Sequence, residues 1–208
     1  MNIISFDGLN RSGKGTQISL LRKGLEKKYN VGVIRGDGSR EGMGNNDYHD
    51  LISEWWVNWQ KNQHKSSSDW DDAYKRLSYE NDVYINGLSS DTVVLMDRCY
   101  LSRWFTVRQY NDDLPLSKVH DESLIIPNLY IILNPSKQSL MKRCSMDNSP
   151  KKYFRQGIIE NWYSLWEDVV KEAEIFLGEK LHLLPGEDLN ETRVSIENIV
   201  GELLNGHP

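Results

Sequence analysis

Nine consecutive residues, Gly8-Leu9-Asn10-Arg11-Ser12-Gly13-Lys14-Gly15-Thr16, have the make-up of a loop that holds an anion. Glycines let successive backbone N–H groups turn inward, a helix starting after the loop adds its partial positive charge, and lysine supplies a point charge. The spacing is the G-x-x-x-x-G-K of a phosphate loop, and it falls between an apolar run, Asn2–Phe6, ending in Asp7, and the helical pattern Gln17-Ile18-Leu20-Leu21-Leu25. That strand-loop-helix setting is what the motif requires. The plainer reading, a Gly-rich turn with an incidental lysine, does not explain the setting. Gly15 stands where Ser or Thr usually follows the lysine, so direct side-chain ligation of Mg²⁺ from that position is unavailable.

A second cluster follows the apolar, β-prone run Thr92-Val93-Val94-Leu95-Met96, which delivers Asp97-Arg98. A carboxylate at a strand end can hold Mg²⁺ or its water, and a guanidinium can clamp phosphate. Alone, such a pair reads more readily as a surface ion pair. Beside a phosphate loop it reads as the second half of a phosphoryl-transfer site.

These residues need a framework to bring them together. Strands are expected at Asn2–Phe6, Val31–Ile34, Thr92–Met96, Leu129–Leu133 and Lys180–Leu184, with helices near 48–63, 70–88, 99–111, 136–145, 155–177 and 190–204. Alternating strands and helices predict an α/β fold: a five-stranded, mostly parallel sheet with helices on both faces and ligands beyond the strand C-terminal ends. The chemistry is therefore expected near Gly8, Arg35, Asp97 and Asn134. Lys65-Ser66-Ser67-Ser68 reads as a turn between helices, and Asp147–Lys152 as a mobile loop. Trp55, Trp56 and Trp59 form an aromatic stripe on one predicted helix, read as core or a subunit interface before a pocket wall.

Composition narrows the function classes. A chain of 208 residues points to one domain over 1–208. Its 25 Lys and Arg against 30 Asp and Glu leave a charge of −5, which argues against non-specific binding to a nucleic-acid polymer and requires any anion to be held locally. No apolar run is long enough for a membrane span, and MNIISFDGLN does not read as a signal peptide, so a cytoplasmic protein is expected. Cys99 and Cys144, with no C-x-x-C spacing, suggest neither a disulfide framework nor a zinc site.

Taken together, the chain resembles the thymidylate kinase family of nucleoside monophosphate kinases, within the P-loop NTPases. The likeness runs from about residue 2 to 200. Residues 6–17 resemble the family's F-E-G-x-D-x-x-G-K-x-T-Q, in the subgroup with an arginine inside the loop, and VVLMDRCYLS (93–102) its V-x-x-D-R-Y/H-x-x-S. Arg76 lies 21 residues before Asp97, at the spacing of the family's base-contacting arginine. PNLYIIL (127–133) resembles P-D-L-x-I-x-L, and Leu140-Met141-Lys142-Arg143 the helix leading to the lid.

The resemblance implies ATP as phosphoryl donor with Mg²⁺, a nucleoside monophosphate acceptor and a homodimer. By position, the loop 8–16 (Asn10, Arg11, Ser12, Gly13, Lys14, Gly15 and Thr16) would hold ATP, with Lys14 and Arg11 stabilising the transferring group and Asp97 organising Mg²⁺. Arg143 and the Pro185–Leu189 loop would meet the adenine. Asp7, Arg40, Asp72, Arg76, Arg98 and Cys99 belong to the acceptor side, centred on 36–80, and Lys151, Lys152 and Arg155 to a lid at about 145–155. This sequence departs from the family at Asn10, in place of an aspartate near the sugar hydroxyl, at Cys99, in place of Tyr or His, and at Asp72, where an aromatic ring would stack on thymine. A carboxylate cannot stack, though it can accept from an exocyclic amine, so the base and sugar of the acceptor stay open. Two rivals also stay open: a P-loop kinase of a nucleoside or other small molecule, and a nucleotide-binding regulatory module without turnover.

Overall fold

The computed structural model describes residues 1–35, 75, 78–79, 81–109, 114–148 and 152–206. Its strands are β1 (Asn2–Asp7), β2 (Val31–Arg35), β3 (Val93–Asp97), β4 (Leu129–Leu133) and β5 (Leu181–Leu184). They pair in the order β2-β3-β1-β4-β5, and every pair is parallel. Helices α1 (Lys14–Leu25), α2 (Tyr100–Arg108), α3 (Leu116–Asp121), α4 (Lys137–Ser145), α5 (Lys152–Leu177) and α6 (Leu189–Asn205) connect them, and 81–86 is also helical.

Strands covered on both faces must be apolar in both registers, and alternate side chains divide between two layers. Ile4, Phe6, Val93, Leu95, Ile131 and Leu133 share a core with Ile18 and Leu21 of α1 and Ile196 and Val200 of α6. Val94, Met96, Tyr130 and Ile132 share the other with Trp104 of α2 and Trp166, Val169 and Ala173 of α5. β1 therefore runs on into a helix on one face and its neighbour β3 into a helix on the opposite face. The crevice between them opens at the C-terminal edge of the sheet, where ligands bind in such folds.

The expected sheet is present and parallel throughout. Helix α3 was not anticipated: its six residues after Pro115 are too few to show a period. Helix α5 starts at Lys152, three residues before the predicted boundary. Of the loop expected at Asp147–Lys152, Asp147 is buried and held by two arginines, while 149–151 lies outside the described residues. The predicted helix at 48–63, the Lys65–Ser68 turn and the tryptophan stripe lie outside the described residues.

Candidate active site

Helix α1 begins without a side-chain cap: Gly13, its N-cap, sits in left-handed backbone at φ 103, and the first turn carries no acidic residue. A helix start left in this way keeps its orphan N–H groups and positive end for an anion. Upstream, Gly8 has φ +144, and a Cβ placed there would lie 2.4 Å from the Leu133 backbone oxygen and 2.7 Å from Ser12 Oγ. Only glycine fits where β1 turns past the end of β4.

Lys14 folds back over this loop. Its Nζ donates to Gly8 O at 2.8 Å, Leu9 O at 3.1 Å and Ser12 Oγ at 3.3 Å, and the side chain is buried. Burial pushes the ammonium down to about 7, with the Arg98 guanidinium adding to the shift and Asp97 and Asp7 opposing it. Lys14, Arg98, Asp97 and Asp7 therefore form one electrostatic cluster, although they come from two loops.

Arg98 is fixed at several points. Its N–H donates to Phe6 O at 2.9 Å, its Nη1 to Ser102 Oγ at 3.2 Å and its Nη2 to Asn10 Oδ1 at 3.0 Å. Asp7 Oδ1 accepts from Ser102 Oγ at 2.7 Å and Cys99 N at 3.3 Å. Arg98 has φ 75 and Arg11 φ 68, a conformation costing an ordinary residue on the order of 1–2 kcal/mol. Among the described residues these two arginines alone do so without being glycine, and both face the loop chemistry. Strain of this kind collects where function requires it.

Two carboxylate oxygens, Asp7 Oδ2 and Asp97 Oδ1, are buried without a hydrogen-bond partner. An orphaned oxygen at the end of β3 suits a hard cation that takes few protein ligands and completes its shell with phosphate and water. Asp97 thus fits the Mg²⁺ that the sequence resemblance implies. Among the described residues no group of three or more His, Cys, Asp or Glu could form a closed metal cage.

Arg143, on α4, donates through Nη1 to Arg11 O and Ser12 O, both at 3.2 Å, and through Nη2 to Gly186 O at 2.6 Å and Glu187 O at 3.1 Å. One guanidinium thereby ties the phosphate loop to the turn after β5. Glu187 continues the tie by accepting from Ser136 N at 2.7 Å. Arg11 itself pairs with Asp147, which also pairs with Arg155 on the first turns of α5.

Comparison with known proteins bears on the architecture. Two solved thymidylate kinases superpose over nearly the whole chain. That from Ehrlichia chaffeensis gives a TM-score of 0.64 at 18% identity, covering 96% of this chain and 98% of its own. That from Candida albicans gives 0.72 at 16% identity, covering 98% and 92%. The chain has the thymidylate kinase fold. No family model matches the sequence, and no curated protein does.

Within that thymidylate kinase fold, the loop residues Asn10 to Thr16, Asp7, Asp97, Arg98 and Arg143 come together as expected from sequence. Cys99 is fully buried: its N–H donates to Asp7 Oδ1, and burial, with the Asp7 carboxylate beside it, pushes its thiol well up. Asn10 serves to orient Arg98. Arg40, Asp72, Arg76 and Lys151 lie outside the described residues, as does the side chain of Lys152. Sequence reasoning did not assign a role to Ser102, which lies in the first turn of α2. It also missed Asp147, for which no signal existed. Beside Ser102, Arg103 is buried and pairs with Glu122 at 2.7 Å, and both line a cavity of about 220 Å³. No helix among the described residues is long and apolar enough to cross a membrane.

Proposed function

We propose that the protein transfers the terminal phosphoryl group of ATP to a nucleoside monophosphate, dTMP or a related deoxynucleotide, yielding the diphosphate. One observation carries this reading: the phosphate-loop lysine and Arg98 converge from adjacent strands β1 and β3 into a single charge cluster, with unpartnered carboxylate oxygens beside them. Two facing cationic grips match two phosphates brought end to end. A loop for ATP alone would not need the second. The fold supports the same reading, and the Candida albicans enzyme is described as having broad substrate specificity, which suits a chain that departs from the usual acceptor residues.

Phosphoryl transfer asks for positioning and charge neutralisation, with no nucleophilic side chain. The α1 amides and Lys14 hold the β- and γ-phosphates, and Lys14 exchanges its loop carbonyls for their oxygens. Arg11 reaches the transferring group. Arg98, oriented by Asn10 and Ser102, grips the acceptor phosphate, whose oxygen attacks, while Arg40, Asp72 and Arg76 complete the acceptor side. Asp97 would hold Mg²⁺, which supplies charge neutralisation between the donor phosphates. Arg143 with the 185–189 turn meets the adenine, and Lys151, Lys152 and Arg155 close over the phosphates. These parts lie within one domain that acts in the cytoplasm as a homodimer.

The test is to incubate the protein with Mg²⁺-ATP and each ribo- and deoxynucleoside monophosphate and follow diphosphate formation. Turnover of at least one monophosphate, lost in Arg98→Ala, is expected. Phosphorylation of nucleosides alone would favour the small-molecule kinase, and ATP binding with no turnover the regulatory module.

A second prediction follows from the lowered Lys14 ammonium. Above pH 7 the folded chain has lost that proton, and an arriving polyphosphate restores it by favouring the charged form. Mg²⁺-ATP binding at pH 8 should therefore take up roughly one proton, falling toward none at pH 6. Calorimetry in buffers of differing ionisation enthalpy reads this directly, and equal uptake at both pH values would refute it.

A further inference from the structure

We propose that Asp147 is an internal rival of nucleotide phosphate: its carboxylate and the bound nucleotide compete for the same two guanidinium groups, Arg11 and Arg155. The inference rests on the reading that the phosphate loop takes ATP and ADP. It assigns to Asp147 the setting of how tightly they are held.

The geometry has three parts. A single oxygen, Asp147 Oδ2, receives Nη2 of Arg11 and Nη1 of Arg155, and one anionic oxygen shared by two guanidiniums is the arrangement proteins use to bind phosphate. Asp147 is 5% exposed at its side chain against 37% for Arg11, so the carboxylate is fixed and the phosphate-loop arginine is the partner able to change places. Asp147 also sits just past the C-terminus of α4, its N–H donating to Cys144 O at 3.0 Å. The dipole of α4 disfavours a carboxylate there, so the pairing with the arginines is what compensates for its position. Such a partner gives up a cation to a stronger anion at little cost.

Electrostatics fixes the sign. A full negative charge in contact with a loop arginine repels an incoming polyphosphate, and the pairing must loosen before Arg11 can reach it. Removing that charge while keeping the shape should tighten nucleotide binding and slow product release.

ADP affinity, measured by calorimetry on the full chain, tests this together with the ADP dissociation rate. Asp147→Asn is expected to bind ADP about tenfold more tightly than wild type, with dissociation slowed to a similar extent. Asp147→Ser repeats the charge removal in case the amide disturbs folding, and Asp147→Glu, which keeps the charge, should stay within about twofold of wild type. In an Arg11→Met/Arg155→Met background, Asp147→Asn should change affinity less than about twofold, because the rivals have nothing left to share. A purely structural role would lower melting temperature without that arginine-dependent gain. Equal or weaker ADP binding by the folded Asn and Ser variants overturns the proposal alone, whereas ADP binding by no form of the protein overturns the nucleotide reading beneath it as well.

Discussion

Lys14→Met should lower turnover by about three orders of magnitude while leaving the fold intact. The ammonium is the only lysine charge inside the loop, and it acts in a buried site where charges are weakly screened, so its loss removes stabilisation that develops as the phosphoryl group moves. Comparable single donors and cations at transferring groups are worth roughly 10²–10⁵ in rate. Methionine keeps the length and apolar stem, and gives up the bonds to Gly8 O, Leu9 O and Ser12 Oγ. Against that loss, it relieves the desolvation that lowers the lysine in the first place. The melting temperature should change little near neutral pH.

The same variant carries its own control. The folded chain releases the Lys14 proton near 7 and the unfolded chain only near 10.5, so between those values the unfolded state binds more protons and wild-type stability should rise with pH. The rise is on the order of a few kcal/mol. It should be absent from the stability curve of Lys14→Met, which urea titrations of both proteins at pH 6, 8 and 10 would reveal. Full activity in the variant would remove lysine from the mechanism, whatever its effect on stability.

The second large effect is on folding. Gly8→Ala must place a methyl group 2.4 Å from a backbone oxygen of Leu133, at φ +144, and neither β4 nor the loop can move without breaking the sheet edge that carries the site. Overpacking and backbone strain together should cost about 3 kcal/mol or more, seen as a melting temperature lowered by roughly 6–12 °C. Gly15→Ala is the matched comparison. A Cβ at Gly15 meets nothing within 4 Å, and within helix α1 alanine is the better helix former, so its stability should equal or slightly exceed wild type. Equal melting of both variants would mean that the crowding at Gly8 is relieved elsewhere.

Much of this molecule was legible beforehand because its strands are short apolar runs ending in chemically distinctive residues. Asp7, Asp97 and Asn134 each mark a strand end, and the alternation with helices leaves few topologies. The phosphate loop was legible because its glycines and lysine have no cheaper explanation between a strand and a helix. What stayed hidden is three-dimensional. The resemblance put Arg143 and the 185–189 loop on the same side of the site, but not the direct bonds from Arg143 to Gly186 O and Glu187 O, which depend on where the turn after β5 falls relative to α4. Asp147 looked like one more polar residue in a polar stretch, because its pairing with Arg11 joins segments far apart in sequence. Cys99 sits beside Asp7, but its complete burial could not be read from its neighbours in sequence.

The strand order has a last consequence, for how the molecule is made. β1 is synthesised before both of its partners, which come from far along the chain: Asn2 pairs with Val93 and Ile4 with Leu129. A nascent chain on the ribosome therefore carries its phosphate loop without the neighbours that shape it until β3 and β4 have been made. Closing such long loops is entropically slow compared with winding local helices. The loop is thus made well before it can become competent, and no fragment ending before β4 can contain a working copy of it.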